Sequence, residues 1–314
     1  MTLVHPHLSF LQAIVIGLLQ GITELFPVSS LGHSVLVPAL IGGSWHDLVT
    51  DQTGGKSPYL AFVVGLHVAT ALALLCFFWR DWVRIIGGFV SSIRYRRIET
   101  VYERLAWLIV VATIPAGIIG LVLEHALRDV FAKPEAAAIF LTVNGGILYT
   151  GERLRRRSFA KAGAAEDAPV PDRSSGDLAP ATTADEAVVT SRISVRDAGV
   201  IGVFQSLALL AGISRSGITM VAGLLRGLDH EQAVRFSFLL ATPVILAAGV
   251  LKVPELFGSM GDGIRGQALA GAVAAFVGAI VSVKFLVRWF QTRTLTPFAW
   301  YCGIFGVICI VRFA

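Results

Sequence analysis

An all-α polytopic membrane protein is the fold class this sequence predicts. It is expected to be an inverted repeat, each half a re-entrant helical hairpin followed by three transmembrane helices. Three observations carry the expectation. Of 314 residues, 55% are hydrophobic and only 15% charged, with a mean hydropathy of +0.72, whereas soluble domains carry about 25% charge. Several apolar runs approach the roughly 20 residues that cross a bilayer as a helix. Finally, residues 13–33 slid by 185 positions onto 198–218 match at 8 of 21 places, among them Gly17/Gly202, Gln20/Gln205, Ser29/Ser214 and Gly32/Gly217.

The first ten residues contain no Lys or Arg, so the first apolar run is expected to be retained rather than cleaved as a signal peptide. Residues 8–25 are apolar and stop at Pro27, and an apolar piece resumes at 31–41 after Ser29 and Ser30. Neither piece is long enough to span, so 8–41 reads as a re-entrant hairpin whose non-helical turn is buried in protein or lines a wet cavity. A Gly-rich polar loop, 42–58, follows. Spans near 59–79, 105–123 and 136–152 complete a first repeat, 1–153. Residues 154–197 are rich in Ala, Asp, Pro, Ser and Thr and poor in large apolar side chains, which predicts a disordered cytoplasmic linker. The stretch 198–226 is interrupted at Gly212, Gly217 and Gly223 and reads as the second re-entrant hairpin. Spans near 234–251, 267–286 and 297–311 complete the second repeat, 198–314. Three spans between the hairpins force them into opposite orientations.

Lys and Arg set the topology. Segments 80–104, 153–197, 226–235 and 284–293 hold 19 of them and the opposite-side segments 6, with Arg215 inside the second motif. The positive-inside rule places the first group in the cytoplasm and both termini outside. This distribution accounts for the net charge of +5 without nucleic acid as a partner. Cys76, Cys302 and Cys309 lie in apolar segments without metal-ligand spacing and read as packing residues.

The stretch from Gln20 to His33 puts a carboxylate, two hydroxyls and an imidazole into an oily segment, where an ionisable group costs roughly 2.5–3.5 kcal/mol at a helix centre and reads as functional. Its copy, Gln205 to Thr219, repeats the layout of apolar helix, breaker, serine turn and new helix. A helix N-terminus offers free N–H groups and partial positive charge to phosphate. Ser29 or Ser30 caps the helix beginning near Leu31, and Ser214 or Ser216 the helix carrying Thr219. Inverted symmetry aims both N-termini at one point. Arg215 adds a guanidinium fork suited to phosphate oxygens. Glu24 is a candidate ligand for a divalent metal, with Gln20 one turn earlier on the same face as a neutral oxygen donor. His33 supplies an imidazole able to move protons near neutral pH. Together these are the parts of a metal-assisted phosphoryl-transfer site. Small residues such as Ser29, Ser30 and Gly32 also serve close helix packing; their coincidence with charge in two related turns favours the site. His67, Arg80, Glu103, Arg104 and Glu152 lie near span ends and read as snorkelling or interfacial groups.

The pattern Gln20-x-x-x-Glu24, then Pro27-Val28-Ser29-Ser30-Leu31-Gly32-His33, and downstream Ala211-Gly212-Ile213-Ser214-Arg215-Ser216-Gly217-Ile218-Thr219, resembles the undecaprenyl-diphosphate phosphatase family, the bacitracin-resistance proteins of bacterial membranes. The resemblance implies a hydrolase that converts undecaprenyl diphosphate to undecaprenyl phosphate and inorganic phosphate. That reaction recycles the lipid carrier for cell-wall synthesis and gives bacitracin resistance. The resemblance further implies the bacterial cytoplasmic (inner) membrane, an active site opening to the periplasmic side, and Mg2+ or Ca2+ as cofactor. Its implied partners are a polyprenyl diphosphate lipid, membrane lipids and a second copy of the chain as a homodimer. By the resemblance Glu24 sits at the metal with Gln20 beside it, and Ser30 and His33 sit at the reacting phosphate. Arg215 with Ser29, Ser214, Ser216, Gly217 and Thr219 holds the diphosphate. The nucleophile stays open between His33, Ser30 and water, with His33 favoured for proton transfer. Gln20 leaves one carboxylate fewer for metal, and Ala211 replaces a proline of the second motif. An inverted-repeat lipid-phosphate flippase or transporter is the alternative reading. A type-2 phosphatidic acid phosphatase is excluded, because Val221 stands where its His six residues after Arg215 belongs.

Overall fold

The computed structural model describes residues 8–50, 58–131, 133–163, 183–258 and 261–313, with no strand among them. In chain order the helices are α1 (Phe10–Thr23), α2 (Ser30–Ile41), α3 (Ser44–Thr50), α4 (Pro58–Phe77), α5 (Trp79–Tyr95), α6 (Val101–Phe131), α7 (Pro134–Gly163), α8 (Thr183–Arg192), α9 (Val195–Gln205), α10 (Arg215–Leu225), α11 (His230–Phe257), α12 (Arg265–Trp289) and α13 (Thr296–Phe313). A 3-10 turn, Ser206–Leu209, follows α9. The helices α6, α11, α12 and α13 are each long and apolar enough to cross a membrane, and α4 joins α5 at a bend of 87°. The chain is a multi-pass membrane protein.

Three expectations need correction. Residues 42–58 are not wholly loop, since α3 occupies part of them. The segment 154–197 is helical at both ends: α7 runs on to Gly163, and α8 and the start of α9 fill 183–192 and 195–197. The strong helix formers Leu, Arg and Lys after Glu152 let α7 continue past the apolar stretch; residues 164–182, the rest of that expected linker, lie outside the described residues. Third, 80–104 is not a plain connection but carries α5.

Backbones touch where the apolar helices carry small residues. A Cβ on Gly17 of α1 would strike the Gly271 carbonyl of α12, and a Cβ on Gly202 of α9 would strike the Ala112 carbonyl of α6. Gly17 and Gly202 are matched positions of the two sequence repeats, so each hairpin uses the same glycine to cross a helix of the opposite half. The helices α7 and α13 cross reciprocally. A Cβ on Gly145 would lie 2.8 Å from the Ala299 oxygen and the Gly303 nitrogen, and one on Gly306 would lie 2.8 Å from the Thr142 nitrogen and 3.0 Å from the Ala138 oxygen. The pairs Ala138/Ala299, Thr142/Gly303 and Gly145/Gly306 are each 161 positions apart. Such an exchange of partners is compatible with the inverted repeat. Phe62, Phe236, Phe238 and Phe290, all fully buried, fill the space between the helices.

Gly17→Ala and Gly202→Ala each drive a methyl group into a facing carbonyl, and each is expected to cost about 1–3 kcal/mol of stability. Thermal denaturation of the detergent-solubilised protein reads this directly; unchanged midpoints in both variants would reject the close crossings.

Candidate functional site

Pro27 cannot continue a helix and pushes Phe26 out of helical backbone, so α1 stops at Thr23. The chain re-enters a helix through Ser29, whose φ of +68° is left-handed and costs a non-glycine residue roughly 1–2 kcal/mol. The Ser29 side chain offsets this twice. Its Oγ accepts the Gly32 N–H at 3.2 Å, capping α2, and the Gly212 N–H of the second motif at 3.1 Å. Gly212 has φ +113°, and a Cβ there would sit 2.6 Å from the Leu141 nitrogen, so only glycine fits on both counts. Ser214 caps α10 through the Gly217 N–H at 3.1 Å. Of the two alternatives in each turn, the caps are therefore Ser29 and Ser214, which leaves Ser30 and Ser216 for other bonds.

Asn144 of α7 stitches the two breaks together. Its Nδ2 donates to the Pro27 carbonyl at 3.1 Å and its Oδ1 accepts the Ser214 N–H at 3.0 Å. Ser216 Oγ donates to the Phe26 carbonyl at 3.2 Å. The two turns thus meet tip to tip.

At their junction lies Glu24, buried at the end of α1. One carboxylate oxygen receives the Arg215 guanidinium, and the other accepts Ser30 Oγ–H and Gln20 Nε2–H, the latter at 2.9 Å. Arg215 also donates to the Ala241 carbonyl of α11 at 3.1 Å. Around this group, Ser214 Oγ and Ser216 Oγ are 3.0 Å apart, and Thr219 Oγ1 is 2.6 Å from Ser237 Oγ of α11. The structure brings together Gln20, Glu24, Ser29, Ser30, Ser214, Arg215, Ser216, Gly217 and Thr219.

His33 joins this group only through the Ser29 carbonyl. The His33 ring lies 2.7 Å from the Ser29 carbonyl through Nδ1 and 2.7 Å from Tyr301 Oη through Nε2, and it packs against Tyr301 and Phe305 of α13, whose rings also touch each other. Among the described residues no hydrogen bond joins it to Glu24, Ser30 or Arg215. The side chain folds back onto the carbonyl four residues earlier, a local bond that competes with any more distant partner. Ser30 is accordingly held by Glu24 and not by His33.

Residues read as interfacial also turn out otherwise. His67, halfway along α4, places Nδ1 2.8 Å from the Val63 carbonyl and Nε2 3.3 Å from the Glu24 carboxylate. Its mid-span position was the available signal, because a polar group at that depth is costly without a purpose. Glu152 is buried and bonds His230 at 2.8 Å and Arg156 at 3.1 Å. Glu103 does lie at a span end as expected, in the first turn of α6, where it accepts from Ser91 Oγ at 2.9 Å and from the Glu99 and Thr100 N–H groups. Asn144 escaped notice, although an asparagine inside an apolar run carries the same signal.

One buried oxygen suits the donor set to a divalent cation. Gln20 Oε1 is buried and has no hydrogen-bond partner, and it belongs to the amide that touches Glu24. An open oxygen beside a carboxylate fits Mg2+ or Ca2+. Neither here nor elsewhere among the described residues do three or more His, Cys, Asp or Glu cluster as metal ligands, so water or ligand oxygens would complete such a shell.

The family model described as bacitracin resistance protein BacA matches residues 13–308 of the chain. The chain is 62% identical to undecaprenyl-diphosphatase 2 of Frankia alni, covering 98% of each protein. It is 60% identical to the undecaprenyl-diphosphatase of Mycolicibacterium paratuberculosis, again over 98% of each. With the undecaprenyl-diphosphatase of Granulibacter bethesdensis it shares 45% identity over 95% of this chain and 94% of the relative.

Proposed function

This chain belongs to the bacitracin resistance protein BacA family, and from that membership we infer the reaction its site performs. The protein is a membrane phosphatase that hydrolyses undecaprenyl diphosphate to undecaprenyl phosphate and inorganic phosphate. The reaction returns the lipid carrier to cell-wall synthesis and underlies bacitracin resistance.

One contact supports our reading of the mechanism: Ser30 Oγ–H donates to Glu24, which Arg215 holds from the other side. A hydroxyl on a positioned carboxylate is a nucleophile beside its base. We propose that Ser30 Oγ attacks the terminal phosphorus while Glu24 takes its proton. The bond from that phosphorus to the bridging oxygen breaks, and undecaprenyl phosphate leaves. Glu24 hands the proton to the bridging oxygen of the leaving undecaprenyl phosphate and is a carboxylate again. It then takes a proton from the water that attacks the phosphoserine and returns it to Ser30 Oγ as the Ser30 Oγ–P bond breaks and inorganic phosphate departs. Arg215 exchanges Glu24 for phosphate oxygens as charge builds on them, and the free N–H groups at the starts of α2 and α10 add stabilisation from the protein. Ser214, Ser216 and Thr219 supply hydroxyls to the diphosphate. His67 stands 3.3 Å from the carboxylate, close enough to share the transferred proton.

His33 is a positioning residue in this scheme, pinning the Ser29 carbonyl and through it the left-handed turn that aims Ser30. A divalent cation, Mg2+ or Ca2+, would be held by Glu24 and Gln20 Oε1 and would neutralise phosphate charge. In this reading the site opens to the periplasmic side, as the family resemblance implies.

Ser30→Ala and Arg215→Lys are each expected to lower phosphate release from a polyprenyl diphosphate by about 10²-fold or more; near wild-type turnover in Ser30→Ala would remove it as nucleophile. His33→Asn, which keeps a short side-chain donor for the Ser29 carbonyl, is expected to retain clearly more kcat than His33→Ala, with KM little changed. Equal loss in both would return His33 to the chemistry. Gln20→Ala is expected to raise the Mg2+ concentration needed for half-maximal activity, and an unchanged requirement would take Gln20 out of the metal shell.

A further inference from the structure

We propose that α5 is a membrane-surface helix that docks on the anionic phospholipid headgroups of the leaflet facing the basic end of the bundle. The helix does not continue the span before it. The 20 residues of α4 already cover about 30 Å, the thickness of a hydrocarbon core, and α5 leaves it at 87°. Its contacts with α6 stay at one level. Arg84 Nη1 donates to Tyr102 Oη at 3.0 Å, a Cβ on Gly88 would lie 2.8 Å from the Glu103 nitrogen, and Ser91 Oγ donates to Glu103 at 2.9 Å. Three points spread over two turns of α5 thus meet the first turn of α6, which is a transverse crossing. The start of α5 is tied to the first two turns of α11 by Asp81, buried and 2.9 Å from Arg235. Both neighbours are met at their N-terminal ends.

Three faces of α5 then differ. Asp81, Ile85 and Ser92 are buried against the bundle. Trp79, Val83, Ile86, Val90 and Ile93, spaced four, three, four and three residues apart, form one stripe and are each 53–63% exposed. The apolar residues Val273, Val277 and Val281 of α12 show the same exposure, 51–63%, as expected of side chains facing acyl chains. Arg80, Arg84 and Arg94, all exposed, line the flank beside the stripe. At the two ends Arg80 lies over the Trp79 ring at 5.3 Å and Arg94 over Tyr95 at 5.9 Å, aromatic and guanidinium groups together as at a headgroup layer. An apolar stripe flanked by arginine on an in-plane helix matches the chemistry of an anionic leaflet.

The test uses the full chain with Cys76, Cys302 and Cys309 replaced by alanine. A nitroxide is attached at Val83→Cys, Ile86→Cys or Val90→Cys, with Arg84→Cys as the flank control. The protein is reconstituted into phosphatidylcholine vesicles containing one third phosphatidylglycerol, and each labelled variant is first checked for retained phosphate release. Labels on the stripe should collide with oxygen in preference to an aqueous nickel chelate, and the flank label the reverse. Arg80→Gln and Arg94→Gln should each lower the docked-to-undocked ratio about fivefold, as should dilution of phosphatidylglycerol in direction. Stripe labels open to the nickel chelate would overturn the proposal, since the helix would then be solvated. Labels shielded from both reagents would overturn it in favour of a second copy of the chain. Immersion indifferent to phosphatidylglycerol and to both arginine substitutions would overturn the anionic recognition.

Discussion

A carboxylate from one half of the chain and a guanidinium from the other neutralise each other where neither can be left alone. The Glu24 side chain is 6% exposed and that of Arg215 14%. Parting such a pair leaves an uncompensated buried charge, a cost of about 3–5 kcal/mol. Two further buried pairs follow the same rule, Asp81 with Arg235 and Glu152 with His230. In all three the acid lies before residue 164 and the base after residue 182. Within the bundle, charge is thus a clasp between the halves before it is a means of chemistry.

That clasp depends on backbones that approach closely. Gly17, Gly202, Gly145 and Gly306 let helices touch main chain to main chain, which gives packing attraction where lipid offers no hydrophobic drive. The hairpin tips are held more finely. Ser29 accepts strained backbone and offsets it by satisfying two N–H groups, one from each motif, while Asn144 bonds both breaks at once. A turn of this kind stays open in shape without staying loose, because Ser29 and Asn144 each bond to both motifs.

The helix α11 connects the regions. Within its first four turns, Arg235 meets Asp81 of α5, Ser237 meets Thr219, and the Ala241 carbonyl receives Arg215. One helix thus touches both Asp81 of α5 and the hydroxyl and guanidinium cluster at the meeting turns, and any tilt of α11 moves both.

Much of this was legible in the residues alone. In an oily chain, polar and helix-breaking residues are few and costly, so Glu24, Ser29, Ser30, Ser214 and Arg215 stand out, and their repetition after 185 residues marks two related turns. Composition and periodicity therefore determined the all-α membrane fold class and singled out the motif residues. Only the tertiary structure decided which way side chains point: that His33 turns to Tyr301, that His67 turns to Glu24, that Asn144 joins the tips and that α5 bends away from its span. Hydropathy records whether a residue can sit in the membrane, but the rotation of a helix about its own axis is set by the partner it packs against, and that partner lies far along the chain.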